Sequence, residues 1–211
     1  MGIFGFVLSI GQAFASACKV VVPEVIKVLK TAGATLDAFA KSVEFFFQEL
    51  GIIPKDQSID EIGNRALQAE QDDIKVEDFE DPNDFFKEIK DKYEVDPSIS
   101  PEDSTRKGVE ISTGCAIQKF GVDTIRNFES GLVAVNGNFD KNTVIDSILK
   151  SEKIIDFIKE APNNFSLLTD FLQGKTANAS LTDLIASVAK EVAPNKSVSE
   201  ILSDLNSLRS K

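Results

Sequence analysis

Carboxylates are the most concentrated chemical groups in this chain, and they crowd into residues 72–82. Ca²⁺ prefers oxygen ligands such as these, so we first compare this run with the pattern of a calcium-binding loop. The D-x-[DN]-x-[DN]-G loop with its closing Glu does not occur in this run. The pattern therefore favours a solvated acidic loop that leads into a helix N-terminus. The acidic patch that we expect to contact a partner consists of Asp72, Asp73, Glu77, Asp78, Glu80 and Asp81.

The side chains of common catalytic sites are missing or scarce. The chain has no histidine, which excludes Ser-His-Asp and Cys-His catalysis and nearly all zinc sites. Paired carboxylates can hydrolyse glycosides, but such sites usually line the sugar with Trp and Tyr, and the chain has no Trp and only Tyr93. Arginine occurs only at positions 65, 106, 126 and 209, which disfavours phosphoryl transfer. No P-loop, GxGxxG or GxSxG motif is present, so we expect no enzymatic activity, no cofactor and no metal site.

The two cysteines, Cys18 and Cys115, are too far apart in sequence to make a metal or redox motif. One disulfide between them depends on geometry that the sequence does not give. The favoured interpretation is two buried free thiols in a reducing compartment.

The negative charge of the chain is concentrated in one segment. The formal net charge is −11, and residues 55–107 hold eight Lys or Arg against seventeen Asp or Glu, a net charge of −9. Residues 1–54 have a net charge of zero, and residues 108–211 have a net charge of −2. Phosphate binding needs a basic surface, so we expect no nucleic acid partner. A basic protein partner, as for an inhibitor or an immunity-type protein, suits this charge.

Residues 1–18 carry no charged side chain, which predicts burial in protein, in lipid or in a translocation channel. A secretory signal would need a positive n-region, and a lipoprotein signal would have Leu where Ala15 stands. Myristoylation needs Ser or Thr where Phe6 stands. Seventeen helical residues reach about 26 Å, slightly short of a hydrocarbon core of roughly 30 Å. A helix packed in the protein is favoured over a membrane-inserting helix, and a cleaved targeting peptide is favoured least.

An apolar seam with a 3.5-residue period runs from Val25 to Leu50 and predicts one long helix packed on a neighbour. Pro23 suits its first turn. We expect the chain to reverse at Val22 and Pro23, so that the amino-terminal helix folds back on the seam as a hairpin, with a second copy of the chain as the alternative partner. The residues assigned to this membrane or helix-packing face are Phe4, Phe6, Leu8, Phe14, Val25, Leu29, Leu36, Phe39, Val43, Phe46 and Leu50.

Within the seam, Phe39, Val43 and Phe46 should be buried, whereas Lys41 and Glu44 should lie on the opposite face.

Helical periodicity and capping residues predict shorter helices along the rest of the chain. An Asn-Gly pair at 136–137 is a hairpin-turn signal, but the residues after it lack strand character. The predicted fold is therefore all-α: an apolar hairpin over 1–54, an acidic connecting segment over 55–104 and a bundle of short helices over 105–211, or the same segments as one continuous domain. The predicted short helices cover 58–71, 84–93, 105–120, 123–135, 142–150, 152–160, 165–173, 180–192 and 198–209.

These patterns predict a non-enzymatic function. In the first hypothesis, the hairpin inserts into or docks on membrane lipid in a secretion or toxin system, and the protein is cytoplasmic before membrane association or export. In the alternative, the chain is a soluble acidic binding or assembly protein that engages a basic protein partner. The hairpin is then part of the core or the interface of a homo-oligomer.

Overall fold

The computed structural model describes residues 9–32, 35–136, 147–173, 175, 179–201 and 203. Every regular element in these ranges is helical, which confirms the predicted all-α fold for them. The chain divides into two compact units: Met1–Ile26 with Leu36–Ile125, and Lys27–Thr35 with Arg126–Lys211. The sequence-based boundaries after residues 54 and 104 both fall inside the first unit, and that three-part division stays a prediction.

The helices alternate with short connections along the whole described chain. α2 and α7 each begin in the first unit and end in the second. In chain order the elements are α1 (Ile10–Ser16), a π-helical turn (Ala17–Val21), α2 (Val22–Ala32), α3 (Leu36–Glu49), α4 (Ile59–Gln71), a 3₁₀ turn (Val76–Asp78), α5 (Pro82–Lys92), α6 (Pro101–Phe120), α7 (Val122–Asn136), α8 (Glu152–Glu160), α9 (Pro162–Leu172) and α10 (Ala179–Val192).

Capping side chains determine where α4, α5 and α6 begin. α4 begins with a capping box, in which Ser58 Oγ accepts from the Glu61 amide and the Glu61 carboxylate accepts from the Ser58 amide. Pro82 and Pro101 are the first residues of α5 and α6. Proline is tolerated there because the first N–H groups of a helix have no acceptor within it. α6 therefore starts at Pro101, four residues before the helix that the sequence predicted over 105–120.

The amino-terminal helix does not reverse at Val22 and Pro23. The described chain stays helical from Ile10 to Ala32, passing through the π-helical turn. Pro23 has no N–H to donate, and the wider turn directly before it, in which Val22 N donates to Ala17 O, accommodates the missing donor. The predicted hairpin turn is therefore wrong.

The apolar seam lies on two helices rather than on one. α2 ends at Ala32 and α3 begins at Leu36, with Thr35 outside both. The sequence between them includes Gly33, and glycine has a low helix propensity. The predicted single helix over the seam is therefore wrong.

The predicted burial within α3 is confirmed for its three large apolar residues, Phe39, Val43 and Phe46. Lys41 is exposed, as expected, and pairs with Asp37. Glu44 differs from the expectation, because its carboxylate is partly buried and accepts a 2.7 Å hydrogen bond from the amide of Ile59. This bond ties α3 to the start of α4.

α6 is the helix on which α1, α3 and α4 all pack. A Cβ atom at Gly63 of α4 would lie 1.8 Å from Ser104 O, and one at Gly108 of α6 would lie 1.9 Å from Ile59 O. These distances are far below contact, so α4 and α6 approach backbone to backbone only because both positions are glycine. α3, which carries the second half of the seam, and α1 thus both pack on α6, where the sequence predicted that the amino-terminal helix and the seam pack on each other.

The second unit has an apolar core of its own. The rings of Phe128 in α7 and Phe165 in α9 are buried, with their centroids 4.7 Å apart. Gln173, directly after α9, donates a 2.9 Å hydrogen bond to the Asn127 side chain of α7. These contacts join α7 to α9, and α8 packs on both α9 and α10.

Candidate functional site

The predicted acidic patch lies at the surface between the end of α4 and the start of α5, and all six of its residues are exposed. We call these six residues the acidic surface. Asp78 accepts a 3.0 Å hydrogen bond from the Lys75 amide, and Asp81 caps α5 by accepting a 2.9 Å bond from the Asn83 amide. Two of the six carboxylates therefore also stabilise the local backbone by accepting hydrogen bonds from its amides.

Asp72 joins the end of α4 to the end of α5. Its carboxylate accepts a 2.7 Å hydrogen bond from Tyr93 Oη and lies 3.4 Å from Lys92 Nζ. These contacts hold the pKa of Asp72 below its ordinary value, and the Tyr93 hydrogen bond is the largest cause. Desolvation and the same hydrogen bond raise the pKa of Tyr93. Asp72 therefore keeps its negative charge at neutral pH while it holds the two helices.

Asp73, Glu77 and Glu80 supply the rest of the charge of the acidic surface. The side chains of Asp73 and Glu80 make no hydrogen bond or ion pair within the described ranges. Asp73 has a φ of 58°, a left-handed conformation that Asp and Asn adopt more readily than most residues. Glu77 lies beside α1, since a Cβ at Gly11 would be 3.6 Å from Glu77 Cγ. These carboxylates can meet a partner without breaking a local bond.

Polar side chains of α4 hold the loop that follows α5. Asn64 Nδ2 donates to Asp96 O at 3.0 Å, and Asn64 Oδ1 accepts from Asp96 N at 2.8 Å. Gln68 Nε2 donates to Glu94 O at 2.8 Å. Two side-chain amides thus pair with the loop backbone, and Asn64 is buried, so its satisfied amide helps to fix one conformation of the loop.

Arg65 makes a second attachment of this loop to α4. Its Nε donates to Tyr93 O at 3.1 Å, and its guanidinium also donates to Gln57 Oε1 at 3.1 Å. Gln57 in turn donates to Phe86 O in α5. Arg65 and Gln57 are both buried, so the end of α5 is attached to α4 by internal hydrogen bonds.

A groove of about 630 Å³ lies between α4 and α6, beside this loop. We call it the α4–α6 groove. α4 contributes Leu67, Glu70 and Gln71 to its lining, the loop contributes residues 98–100, and α6 contributes charged side chains between positions 103 and 110. The groove therefore combines apolar, hydroxyl and charged surface.

Lys107 of α6 is a largely enclosed charge at this groove. Its side chain is 12% exposed, and its ammonium pairs with Glu70 of α4 and lies 4.0 Å from Glu110. The same nitrogen is 4.9 Å from the centroid of the Phe14 ring of α1. One lysine thus connects three helices at an edge of the groove.

Cys18 lies on the π-helical turn, next to Lys107 and Glu110. Burial is the largest cause that raises the pKa of its thiol to about 12, and the charge of Glu110 and a hydrogen bond with it act in the same direction. Cys115 is buried in α6, and burial raises the pKa of its thiol to about 12 as well. Both are free thiols, so both stay protonated at neutral pH, where a thiol is a poor nucleophile.

The predicted membrane or helix-packing face is only partly within the described ranges. Phe4, Phe6 and Leu8 lie outside them, and Phe14 and Leu36 are partly exposed. Among the helices that the structure describes, none has the length and apolarity to cross a bilayer. The buried residues of the predicted face are Val25, Leu29, Phe39, Val43, Phe46 and Leu50.

The polar residues that hold the loop and the groove were not predicted from the sequence. Asn64 and Arg65 follow Ile62 on an amphipathic helix, where polar residues usually face water. Their adjacency is the only local signal, and it does not show that the partners lie about 30 residues further along. Lys107 and Glu110 are spaced as an ordinary surface pair of a helix.

The comparisons with known proteins add no relative. No family model, no curated protein and no solved structure matches the chain. Within the described ranges, no group of three or more Cys, Asp and Glu side chains is placed to hold a metal ion. Function is therefore inferred from the acidic surface and the α4–α6 groove.

Proposed function

We propose that this chain is a non-enzymatic binding protein that engages a basic protein partner through its acidic surface. The observation that carries the proposal is the exposure of all six carboxylates within a segment of net charge −9. Hydrogen bonds hold the carboxylates of Asp72, Asp78 and Asp81 in place, so these three negative charges have fixed positions on the surface. Complementary charge steers the encounter and selects the partner.

The first test uses a defined basic probe, a fluorescein-labelled octalysine peptide. We expect the triple variant Asp73→Asn, Glu77→Lys, Glu80→Lys to bind it roughly tenfold more weakly, about 1.4 kcal/mol in binding free energy. The three residues are chosen because Asp72, Asp78 and Asp81 also support the backbone, and Asn is chosen at Asp73 because it tolerates the left-handed conformation. Fluorescence anisotropy across a salt series measures the affinity, which should fall as salt screens the charges.

The matched control has the same change in net charge on the second unit. It carries Asp156→Asn, Glu160→Lys and Asp183→Lys, three exposed positions on α8 and α10. We expect the control to bind octalysine nearly as well as the parent protein. Equal weakening in the two triple variants would mean that only total charge matters, and it would contradict the proposal.

A second candidate function is docking on a membrane through the amino-terminal segment. The observation that favours it is the absence of charge from residues 1–18. Flotation with vesicles of phosphatidylcholine and phosphatidylglycerol tests it with the full chain. The parent should float, and the variant Phe4→Glu, Phe6→Glu should not.

The control for the flotation experiment places the same kind of change at two exposed apolar residues, as Val95→Glu and Val192→Glu. This control should float like the parent. A parent protein that stays at the bottom of the gradient, or two variants that behave alike, would rule this candidate out.

A further inference from the structure

We infer that the α4–α6 groove receives a Lys or Arg side chain from a basic peptide segment of the partner. The inference rests on the proposed function and identifies where the partner's basic residue is held. A volume of about 630 Å³ lies within the range of roughly 300–1,000 Å³ that is typical of ligand sites, so the groove can take a side chain together with part of its peptide.

The charges that line the groove favour a cation. Lys107 is already paired with Glu70, and Arg106 is paired at 3.5 Å with Glu102, which lies outside the lining. Asp103 accepts a 2.7 Å hydrogen bond from Ser100 Oγ, which leaves acceptor positions on its carboxylate. The lining carries three carboxylates against two cations. An entering ammonium or guanidinium group therefore meets the acceptor positions left on Asp103, whereas an anion would meet cations that are already paired.

The apolar part of the lining favours a side chain over an inorganic ion. Leu67 and Ile99 both line the groove and are partly exposed. Lys and Arg lay their aliphatic stems along apolar surface and keep the charged end among polar groups. A metal ion makes no favourable contact with these two apolar residues, whereas the aliphatic stem of a Lys or Arg side chain does. The combination of apolar residues and carboxylates therefore favours a basic side chain as the occupant.

The walls of the groove are fixed before any ligand enters. The loop wall is held by the Asn64 amide on Asp96, and Asp96 Oδ1 accepts a 2.8 Å hydrogen bond from the Ser98 amide. The helical walls are held by the contact of Gly63 with Gly108. A site that needs no ordering on association loses less entropy when it binds.

The groove is continuous along the chain with the acidic surface. Gln71 lines the groove as the last residue of α4, and Asp72 and Asp73 follow it directly. The charges of Glu110 in the groove and of Glu77 in the acidic surface both raise the pKa of Cys18, which places both carboxylates near the same thiol. A basic peptide seated in the groove can therefore extend onto the acidic surface.

The test compares two substitutions of glutamine by lysine, each near the C-terminal end of a helix of the first unit. Gln71→Lys puts a competing ammonium into the groove, and Gln118→Lys makes the same change about 12 Å further along α6 than Glu110, at 1.5 Å per residue. We expect Gln71→Lys to weaken the binding of labelled octalysine about tenfold and Gln118→Lys to change it less than about twofold. Circular dichroism melts establish that both variants fold.

Methyl NMR of the full chain locates the probe. On titration with octalysine, the resonances of Leu67 and Ile99 should shift in the parent protein and stay in place in Gln71→Lys. Spermidine at matched ionic strength is the second arm. If spermidine shifts these methyl groups at a lower concentration than the peptide does, the occupant is a free polyamine and the inference is overturned.

The outcomes separate this inference from the proposed function. If the triple variant of the acidic surface weakens binding while Gln71→Lys behaves like Gln118→Lys, the proposed function stands and the groove is not the site. If neither variant differs from its matched control, the proposed function and the groove inference are both wrong. A selective loss in Gln71→Lys, together with the shifts at Leu67 and Ile99, supports the groove as the site.

Discussion

At the scale of single residues, a substitution at Phe46 tests the core of the first unit. The side chain is 1% exposed, and its ring meets that of Phe45 edge-on with the centroids 5.5 Å apart. Phe46→Ala should lower the free energy of unfolding by about 3–5 kcal/mol, because it removes a buried aromatic ring and leaves a cavity. Lys41→Ala, on the exposed side of the same helix, should cost well under about 1 kcal/mol. Urea denaturation of both variants is the measurement, and a harmless Phe46→Ala would contradict the assignment.

The second residue-scale prediction concerns the reactivity of Cys18. In a Cys115→Ala background, iodoacetamide should alkylate Cys18 slowly at pH 8.5, because the raised pKa keeps the thiol protonated. Glu110→Gln removes a charge and a carboxylate that both raise this pKa, so the rate should increase. The thiolate fraction rises about tenfold for each unit that the pKa falls. Glu88→Gln, an exposed change on α5, is the control, and equal rates in the two variants would show that Glu110 does not act on the thiol.

Glu44 shows how far a single residue can be predicted from its pattern. Its spacing in the sequence predicted that it lies opposite the seam, and α3 is helical as that spacing requires. Its contact with the Ile59 amide depends on α4 starting beside α3, which no local pattern contains. The same holds for Asn64 and Arg65, whose polar character was evident in the sequence while their distant backbone partners were not.

At the scale of the helices, the crossing of α4 and α6 makes the sharpest prediction. Gly63→Ala would place a Cβ 1.8 Å from a backbone oxygen, so the two helices must separate, at a cost of about 3 kcal/mol or more in unfolding free energy. Gly11→Ala in α1 meets only ordinary contact at 3.6 Å and should be neutral or stabilising by up to about 1 kcal/mol. Thermal melts of the two variants compare them directly. A Gly63→Ala protein as stable as the parent would mean that the helices are not in backbone contact.

The helices themselves were largely predictable, and their neighbours were not. Capping residues and apolar spacing predicted α4, α5 and α8 closely, because a cap acts within one turn of the residue that provides it. α6 was predicted over 105–120 and begins at Pro101 instead. Three helices pack on it, and its small polar residues Ser112 and Thr113 are buried. Small residues permit close packing on any face and carry little periodic signal.

At the scale of the whole molecule, the buried thiol of Cys115 predicts a loss of stability in alkali. The ordinary thiol pKa is 9.0, and burial raises that of Cys115 to about 12 in the folded chain. Above pH 9 the unfolded chain therefore binds fewer protons than the folded chain, so the free energy of unfolding falls as the pH rises towards 12. The slope is at most about 1.4 kcal/mol per pH unit for one thiol.

Urea unfolding at pH 8 and pH 10.5 under reducing conditions measures this effect. Cys115→Ala should lose less stability than the parent between the two pH values, because it lacks the thiol while its other titrating groups are the same. A parallel decline in both proteins would show that Cys115 does not contribute.

The π-helical turn at Ala17–Val21 determines how α1 is rotated about the helix axis relative to α2. An α-helix advances about 100° per residue, so one additional residue in this turn rotates α1 by about that angle relative to α2. Ala13 is buried, and Phe14 contacts Gly114 of α6, only in the phase that this turn provides. Deleting the exposed Lys19 would restore α-helical periodicity and rotate Ala13 out of its buried position. The helical path from Ile10 to Ala32 therefore depends on its irregular turn to be both continuous with α2 and packed against α6.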